Sequence, residues 1–547
     1  MRFTLVIVGF FFCLVNLPAQ QVRYFRHFEL DGRYQYRGLY EVSPVDAYAE
    51  WVFAFQYDAE GNLQRVQYLR KGRPFFHPEL GAAQVLIRRD GNFEVREFRN
   101  ARGLPTQTRQ GISYQRLKFD EWGNPTNLYH YDQNGILSPD RNGVSAYAWV
   151  LDERGRRLRS LRFDRMGNRI SDRLGRWELE YEWDSNNRLI RVMYKNQLGQ
   201  YQSRNGVVCG LVFTYGSQGE RLSMTRLGED GQPIGGIDGI MRVEWRYDRQ
   251  GRKIEQRHYN EHNQLVRDQR GVAMYRWDYN DQENYLREWY LDECEERTLD
   301  LDLVAMRKDV WFAQDNERAL FNYGLAINPR WENLDPASRQ REERFLLTQD
   351  RQGIAVYRWT YDDDLNVLEE KFFNQELEPT TDAHGIAIYR RRFNPNGLML
   401  EERFYSAWNT PTTRRDGIHA ILWDYNNSGQ LIRQSHLGIT DVLKEDEQGA
   451  ASLLFEYDQR GLLVRRTTLG IWDQLKEDNR GVAIYAFRHD RFGQVVEQAH
   501  FGIDAQPSED IDGVHVYRWN IHPAGRRELV GRFQRPNPLP QPLSELR

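Results

Sequence analysis

Apolar and polar residues alternate in short stretches along this chain. In residues 353–362 the apolar residues occupy every second position: Ala355, Tyr357, Trp359 and Tyr361. The residues between them are mostly polar, such as Arg358 and Thr360. Alternation with a period of two over about eight residues predicts a half-buried β-strand. A helix would space its apolar residues three and four positions apart, and these stretches do not.

The alternating stretches recur at a fixed distance, and each follows a glycine. Six of these glycines are 32 residues apart: Gly353, Gly385, Gly417, Gly449, Gly481 and Gly513. The earlier ones keep spacings of 30 to 33 residues: Gly81, Gly111, Gly143, Gly175, Gly206, Gly239 and Gly271. Such regular self-similarity indicates a tandem-repeat protein. We count 15 units from residue 49 onward, of which the unit at 303–334 is the most degenerate.

Each unit is predicted to contain two strands joined by a tight turn. The turn starts with Asp and has Gly near its end, as in YDAEGNL (57–63) and FDEWGNP (119–125). A late glycine suits the positive φ that hairpin turns require. A second strand follows, such as VLEEKFF (367–373), and then a link that often carries a proline six residues before the next glycine, as at Pro379. Each unit therefore reads as a β-hairpin plus a link.

A lone hairpin is marginally stable in water, so the units must pack on one another. The predicted fold class is all-β: tandem β-hairpin repeats of about 32 residues form one long antiparallel sheet. We expect this sheet to be curled or superhelical, with its aromatic face inward, because strands twist and very large sheets do not stay flat. A β-propeller with two units per blade is the alternative, and a parallel β-helix comes third.

The ends of the chain and one interruption set the predicted boundaries. Arg2 precedes an apolar run that is typical of a signal peptide cleaved near Ala19. Gly271 and Gly353 are 82 residues apart, 18 more than two units need. The predicted segments are a signal peptide (1–20), an N-terminal cap hairpin (21–48), repeats (49–334), an irregular insertion (335–352), repeats (353–532) and a Pro-rich tail (533–547).

The charge balance changes the list of plausible partners. Lys and Arg number 75 against 79 Asp and Glu, which gives a net charge of −4. Nucleic-acid binding usually needs a basic excess, so no nucleic-acid partner is predicted. We expect no transmembrane segment in the mature chain and a periplasmic, cell-surface or extracellular location. Cys209 and Cys294 lie in different units, and the sequence leaves open whether they pair.

Four motifs are candidates for chemistry. HYNEH (258–262) matches a zinc-protease pattern, which needs both histidines on one helical face, whereas the repeat places them on a strand end and in a turn. YDDDLN (361–366) is a hairpin turn without the alternating ligands of a calcium loop. GQPIGGIDG (231–239) is a glycine-rich link with no helix after it. The in-phase tryptophans favour core stacking over a sugar-binding ladder: Trp149, Trp277, Trp359, Trp423 and Trp519.

None of these four motifs predicts a catalytic residue, a cofactor-binding residue or a metal ligand. We likewise predict no cofactor, and the chain is more consistent with a binding protein than with an enzyme. Enzymes usually depart from a repeat where their site lies, and the 303–352 irregularity is the main departure here.

The recurring Tyr-Asp-x-x-Gly-Asn motif, as in YDAEGN and less strictly in FDEWGN and EYDQRG, resembles the YD repeats of the RHS family over most of the chain. That resemblance implies hairpins wound into a hollow β-shell around a toxic C-terminal domain. The period of 32 is longer than the usual YD unit, and the array runs almost to residue 532. The hairpin-after-hairpin layout also resembles MORN-type repeat proteins, which implies a scaffold.

The predicted function is that of an exported, non-catalytic repeat protein. It would act as a binding or scaffold surface in the cell envelope or outside the cell, with a protein or polysaccharide partner. Two alternatives stay open. One is a polysaccharide-binding protein that uses exposed aromatic residues, and the other is an enzyme or toxin-like shell whose site is built by the 303–352 irregularity.

Overall fold

The computed structural model describes residues 21–534, apart from residues 48–50, 71, 109–110, 141, 173, 203–206, 281–284, 313–316, 328, 330–343, 363, 491–492 and 522–526. The predicted signal peptide and residues 535–547 of the predicted tail lie outside the described residues. The described chain is almost entirely β-structure, with one short helix, α1 (Pro44–Ala47).

The strands form hairpins in chain order. An N-terminal hairpin precedes the repeats and consists of β1 (Gln21–Leu30) and β2 (Tyr36–Val42). The first nine repeat units then contain β3 (Trp51–Tyr57), β4 (Leu63–Arg70), a short β5 (Arg73–Pro74), β6 (Gln84–Asp90), β7 (Phe93–Arg99), β8 (Tyr114–Phe119), β9 (Pro125–Tyr131), β10 (Ala146–Leu151), β11 (Arg157–Phe163), β12 (Glu178–Trp183), β13 (Leu189–Lys195), β14 (Gly210–Tyr215), β15 (Arg221–Leu227), β16 (Arg242–Tyr247), β17 (Lys253–Tyr259), β18 (Met274–Asn280), β19 (Tyr285–Leu291), β20 (Met306–Phe312) and β21 (Glu317–Ile327).

Six further units follow the interruption. They begin after a three-residue strand, β22 (Phe345–Leu347). Their strands are β23 (Val356–Tyr361), β24 (Val367–Phe373), β25 (Ile388–Phe393), β26 (Met399–Tyr405), β27 (Ala420–Tyr425), β28 (Leu431–Leu437), β29 (Ser452–Tyr457), β30 (Leu463–Leu469), β31 (Ile484–His489), β32 (Val495–Phe501), β33 (Val516–Ile521) and β34 (Arg527–Phe533). Of the expected insertion, residues 335–343 lie outside the described residues, and Asp350–Gly353 form the turn that opens the next unit.

All 34 strands belong to one sheet, and the pairings between described strands are antiparallel. From β3 onward the strands pair in chain order, except that the short strands β5 and β22 are side branches, so that β4 pairs with β6 and β21 with β23. At the start of the sheet β1 lies between β2 and β3. The predicted all-β array of tandem β-hairpins is confirmed. One continuous sheet contains no separate propeller blades, and antiparallel ladders are incompatible with a parallel β-helix.

A regular unit contains three turns of the same construction, two more than the sequence pattern predicted. In the unit at Gly353 they are Asp350–Gly353, Asp362–Leu365 and Asn374–Leu377, whose fourth residues have φ of 80°, 60° and 63°. The first residue's carbonyl accepts the N–H of the fourth, and its side-chain oxygen accepts the N–H groups of the third and fifth residues. Asp and Asn suit this role because their short side chains bond to nearby backbone.

A hairpin tip is the turn between the two strands of one unit, and a link is the segment that joins one unit to the next. The units that open at 49 to 303 form the lower coil, and those that open at Gly353 to Gly513 form the upper coil.

The sheet is curled, because residues far apart in the chain come into contact. The lower coil closes on itself where the rings of Trp51 in β3 and Trp311 in β20 lie 5.8 Å apart. Tips of the upper coil then rest on links of the lower coil. The bonds across this joint are Ala101 N to Asp364 Oδ1 (2.6 Å), Asn396 Nδ2 to Gln133 Oε1 (3.0 Å), Ser428 Oγ to Asp132 Oδ2 (2.8 Å), Arg165 Nη1 to Gln459 O (2.9 Å) and Gln494 Nε2 to Ser171 Oγ (3.1 Å).

The N-terminal hairpin crosses the tips of the lower coil from the inside. Its turn residue Tyr34 packs against Trp149, with ring centroids 5.1 Å apart. Arg157 of β11 donates to the carbonyl of Asp31 (2.9 Å) and stacks on the ring of Tyr34. Because Trp149 occupies an even position of its unit, these contacts place the aromatic face of the sheet on the inside of the lower coil.

Candidate functional site

The inner wall is built from aromatic rings whose polar ends are already bonded. Trp359 stacks on Tyr357, with ring centroids 5.6 Å apart, and donates its indole N–H to Glu370 (2.9 Å). Tyr357 donates its hydroxyl to Asp350, and burial raises the pKa of that hydroxyl well above its usual value. The same stack and indole bond recur at Trp277, which donates to Glu288. These in-phase tryptophans are half-buried, and their stacking and hydrogen bonds are part of the structure of the inner wall.

Three buried histidines also belong to the wall and share one bonding pattern. In each, Nδ1 lies next to a backbone carbonyl of the following link, and Nε2 lies next to the amide nitrogen of a glutamine two residues earlier. The carbonyl accepts only, so Nδ1 carries the proton and Nε2 accepts from the glutamine. The three pairs are Gln256–His258, Gln434–His436 and Gln498–His500. Both ring nitrogens are thereby engaged in structure.

A cavity of about 410 Å³ lies at the seam where the lower coil closes on its first unit. Its aromatic lining comes from β3, β4, β18, β19 and β20: Trp51, Phe53, Tyr68, Tyr279, Tyr285 and Trp311. Its polar lining comes from the N-terminal hairpin, a link, the start of β17 with the tip before it, β18 and β20: Arg26, His27, His77, Arg252, Lys253, Asn280 and Asp309. Small-molecule sites are usually lined in this way and enclose about 300–1,000 Å³.

The charges on the cavity wall are unevenly compensated. Asp309 accepts two hydrogen bonds from Arg318, at 2.8 and 2.6 Å, so its charge is balanced. Lys253 has no carboxylate within ion-pair distance among the described residues, and its ammonium lies 5.3 Å from the ring of Trp245 and 5.7 Å from that of Trp277. Burial lowers the pKa of Lys253. The charge of Glu79, which lies beyond ion-pair distance, opposes this lowering. The cavity therefore holds a cation that no described carboxylate contacts directly.

A second buried cation lies behind the aromatic wall. The guanidinium of Arg70 sits 4.4 Å from the ring centroids of both Trp51 and Trp311, and the residue is 7% exposed. Burial lowers its pKa to about 10. His77 packs edge-on against Tyr68, with centroids 4.6 Å apart, and burial lowers its pKa to about 4. Among the described atoms, Nδ1 of His77 and Nε and Nη2 of Arg70 have no hydrogen-bond partner.

The links of the upper coil form an exposed edge that is rich in apolar side chains. Trp408 and Trp472 occupy the same repeat position, two units apart, and are 88% and 82% exposed. Further exposed aliphatic residues lie on links of the same coil: Ile439, Val442, Ile471, Ile503 and Ile511. We call these seven residues the free edge. Exposed apolar patches of this kind mark interaction sites on soluble proteins.

The equivalent edge of the lower coil is different where it is covered. There, Asp132, Gln133 and Arg165 each bond to an upper tip. The same links also carry the exposed apolar residues Ile136 and Met166. The two edges have the same turn geometry, with positive φ at Gly135 in the lower coil and at Asn409 in the upper coil. The apolar residues of the free edge are therefore not required by the fold of the link.

The structure separates the residues of the zinc-like motif. His258 is buried in β17 and bonded as described above, whereas His262 and Glu261 lie in the exposed turn after it. Glu261 accepts the backbone N–H of Gly235 at 2.7 Å, which gives it a structural contact to the glycine-rich link. Across the described part of the chain, no group of three or more His, Cys, Asp or Glu residues is arranged to hold a metal ion.

The aspartate-rich tip also has structural contacts. Asp362 accepts the turn N–H groups, and Asp364 accepts the N–H of Ala101 across the joint between coils. Cys209 is buried and Cys294 is exposed, and the two do not form a disulfide with each other. No helix in the described part of the chain has the length and apolar character needed to cross a membrane.

Comparison with known proteins adds little to this geometry. No family model and no curated protein matches the chain. Among solved structures, the chain is similar to the toxin complex TcdB2-TccC3-TEV, with 11% identity, a TM-score of 0.35, and coverage of 95% of this chain and 27% of that one. It is also similar to the Photorhabdus luminescens Tc holotoxin pore, with 12% identity, a TM-score of 0.33, and coverage of 87% and 25%. The chain thus spans about a quarter of the length of these structures, and the likeness is too weak to assign a function.

The sequence pattern did not reveal the seam cavity or the free edge. The cavity combines residues from the N-terminal hairpin, the first units and the 303–334 unit, which the repeat does not bring together in sequence. The free edge has a signal in the sequence, because Trp408 and Trp472 replace the polar residues usual at that link position. Attention to tryptophans in links, rather than in strands, would have found it.

Proposed function

We propose that this chain is an exported, non-catalytic repeat protein that offers a binding or scaffold surface, and that its partner contacts the free edge. The observation that supports the proposal most directly is the exposure of Trp408 and Trp472, at 88% and 82%, at one repeat position on links of the upper coil. Export is proposed from the apolar run in residues 1–20. The partner is proposed to be a protein, because an edge made of a row of turns offers a long shallow contact.

The test is a crosslinked capture experiment on the source cell's envelope fraction, with residues 21–547 as bait. The bait is compared with its Trp408→Ala/Trp472→Ala double variant and with Trp122→Ala. Trp122 is a matched control because it is 77% exposed but lies on a hairpin tip of the lower coil. A saturable protein partner that the double variant loses and the control retains would support the proposal. Equal capture by all three baits would overturn the assignment to the free edge.

A polysaccharide partner is the second candidate, and the same two tryptophans favour it. Exposed indole rings stack on the apolar faces of flat ligands because they present a large, rigid surface. Soluble polysaccharide fractions that quench tryptophan fluorescence in the unsubstituted chain, but not in the double variant, would support this candidate over the first. An enzymatic or toxin-like role for the 303–352 irregularity is the third candidate, favoured by the presence of Asp309 and Trp311 in the seam cavity.

A further inference from the structure

The seam cavity presents flat apolar walls and, in the same space, a lysine that no described carboxylate contacts. Trp51, Trp311 and Tyr285 supply aromatic surface from three different units. Such rings contact the faces of six-membered ligand rings over a large area and lose little conformational freedom in doing so. A ligand with one or two rings suits the volume of about 410 Å³.

The charged side chains in the cavity lining favour a negatively charged ligand. An ammonium removed from water without a partner is costly, and Lys253 has no carboxylate within ion-pair distance among the described residues. The carboxylate in the lining, Asp309, is already held by two bonds from Arg318. A ligand carboxylate would restore the missing charge balance at Lys253, whereas a cationic ligand would add to the imbalance.

We propose that the seam cavity is a binding site for a small ring compound that bears a carboxylate, with Lys253 as its charge partner and Trp51 and Trp311 as its stacking surface. Two sources share this chemistry: a uronic acid unit of a polysaccharide and an aromatic acid. The residues of this site are separate from those of the free edge, so a test of one proposal does not decide the other.

The test is titration of the chain of residues 21–547 with glucuronate, with 4-hydroxybenzoate and with glucose, followed by calorimetry and tryptophan fluorescence. At least one of the two acids is expected to bind with a single-site isotherm, and neutral glucose is expected to bind at least tenfold more weakly. The Lys253→Met variant keeps the apolar stem and removes the charge, so it should weaken the acid about 10- to 100-fold. Lys371→Met is the matched control, because Lys371 is paired with Glu369 on the outer face.

A second variant keeps the test decisive if Lys253→Met does not fold. Asn280→Asp adds a carboxylate to the cavity lining and should weaken the same acid about tenfold. Selective binding of glucuronate would identify a sugar acid as the ligand class, and selective binding of 4-hydroxybenzoate an aromatic acid. The proposal is overturned if neither acid binds, if glucose binds as well as the acids, or if a folded Lys253→Met or Asn280→Asp variant binds as well as the unsubstituted chain.

Discussion

At the scale of single residues, most polar side chains of the inner wall have their bonding capacity used by the wall itself. The indole of Trp423 donates to Gln434, and Gln434 in turn donates to His436, whose other nitrogen bonds to the carbonyl of Ala450. A group that is fully engaged in this way rigidifies the sheet and is not free to react with a ligand. Buried atoms without a described hydrogen-bond partner occur along the chain from Arg37 to Thr468, and those of Arg70 and His77 lie beside the seam cavity.

His77 makes a clear prediction about pH. Burial lowers its pKa from the ordinary 6.5 to about 4, so the unfolded chain binds a proton at higher pH than the folded chain does. The contribution of neutral His77 to the free energy of unfolding is therefore fully present above about pH 6.5 and is lost as the pH falls toward 4. At about 1.4 kcal/mol per pKa unit, His77 should remove roughly 2 kcal/mol of stability between about pH 8 and pH 5. The His77→Phe variant should lose that part of the pH dependence.

Urea unfolding measured across this pH range checks the prediction. The histidine ring already packs among the rings of Phe28, Phe53 and Tyr68, so phenylalanine is expected to be tolerated near pH 8. His384→Phe is the control, since His384 lies in an exposed turn, and it should keep the slope of the unsubstituted protein. An unchanged slope in His77→Phe would show that other histidines carry the acid sensitivity.

At the scale of the repeated element, the fourth position of each turn decides the backbone. Most units have Gly or Asn there, but the unit at 303–334 opens with Leu303 at a φ of 67°. A residue with a Cβ pays about 1–2 kcal/mol to adopt this left-handed conformation, and glycine recovers it at the cost of greater freedom in the unfolded chain. Leu303→Gly should therefore stabilise the protein by about 1 kcal/mol.

Thermal and urea unfolding of Leu303→Gly measure this gain. Leu301→Gly is a matched control because Leu301 is similarly exposed and lies two residues away without a positive φ. It should leave stability unchanged or lower it by up to about 1 kcal/mol. Equal effects of the two substitutions would mean that the strained backbone at Leu303 contributes nothing measurable.

The N-terminal hairpin is joined to β3 by its ladder, and Arg157 is a main contact of its turn with the lower coil. This side chain bonds to the carbonyls of Asp31 and Gly32 and stacks on four aromatic rings, including Tyr34 and Trp149. Arg157→Met keeps an apolar stem but removes the bonds and the cation–π contacts. Hydrogen exchange should become faster in residues 31–40 while the strands of the coil keep their protection.

Arg159→Met is the control for this experiment. Arg159 lies on the same strand and points outward, where it pairs with Glu178 at 3.5 Å. It should leave exchange in the N-terminal hairpin as it is. Uniform acceleration along the whole chain in Arg157→Met would instead indicate that Arg157 supports the sheet rather than the docking of the hairpin.

At the scale of the whole molecule, the sequence predicts the local structure better than its closure. The glycines and the alternating residues specify hairpins because their effect is local, through φ and through the two faces of a strand. Closure of the coil depends on contacts such as Gln133 with Asn427 and Trp51 with Trp311, between residues far apart in the chain. Gln133 reads as an ordinary turn residue, and nothing in the repeat relates it to Asn427. The seam cavity is a product of that closure, so it was missed for the same reason.

The joint between the coils includes a hydrogen bond to a buried carboxylate. Ser428 at an upper tip donates to Asp132, a fully buried carboxylate on a lower link. Ser428→Glu would place a second carboxylate against the first, and two like charges out of water repel each other or force one to take up a proton. The substitution should therefore destabilise the joint by about 2–4 kcal/mol. Small-angle X-ray scattering should show a larger maximum dimension as the upper coil separates from the lower one. Ser217→Glu is the control, since Ser217 is an exposed serine on a tip of the lower coil, one position before the equivalent of Ser428. A similar expansion in both variants would refute the assignment of this contact to the joint.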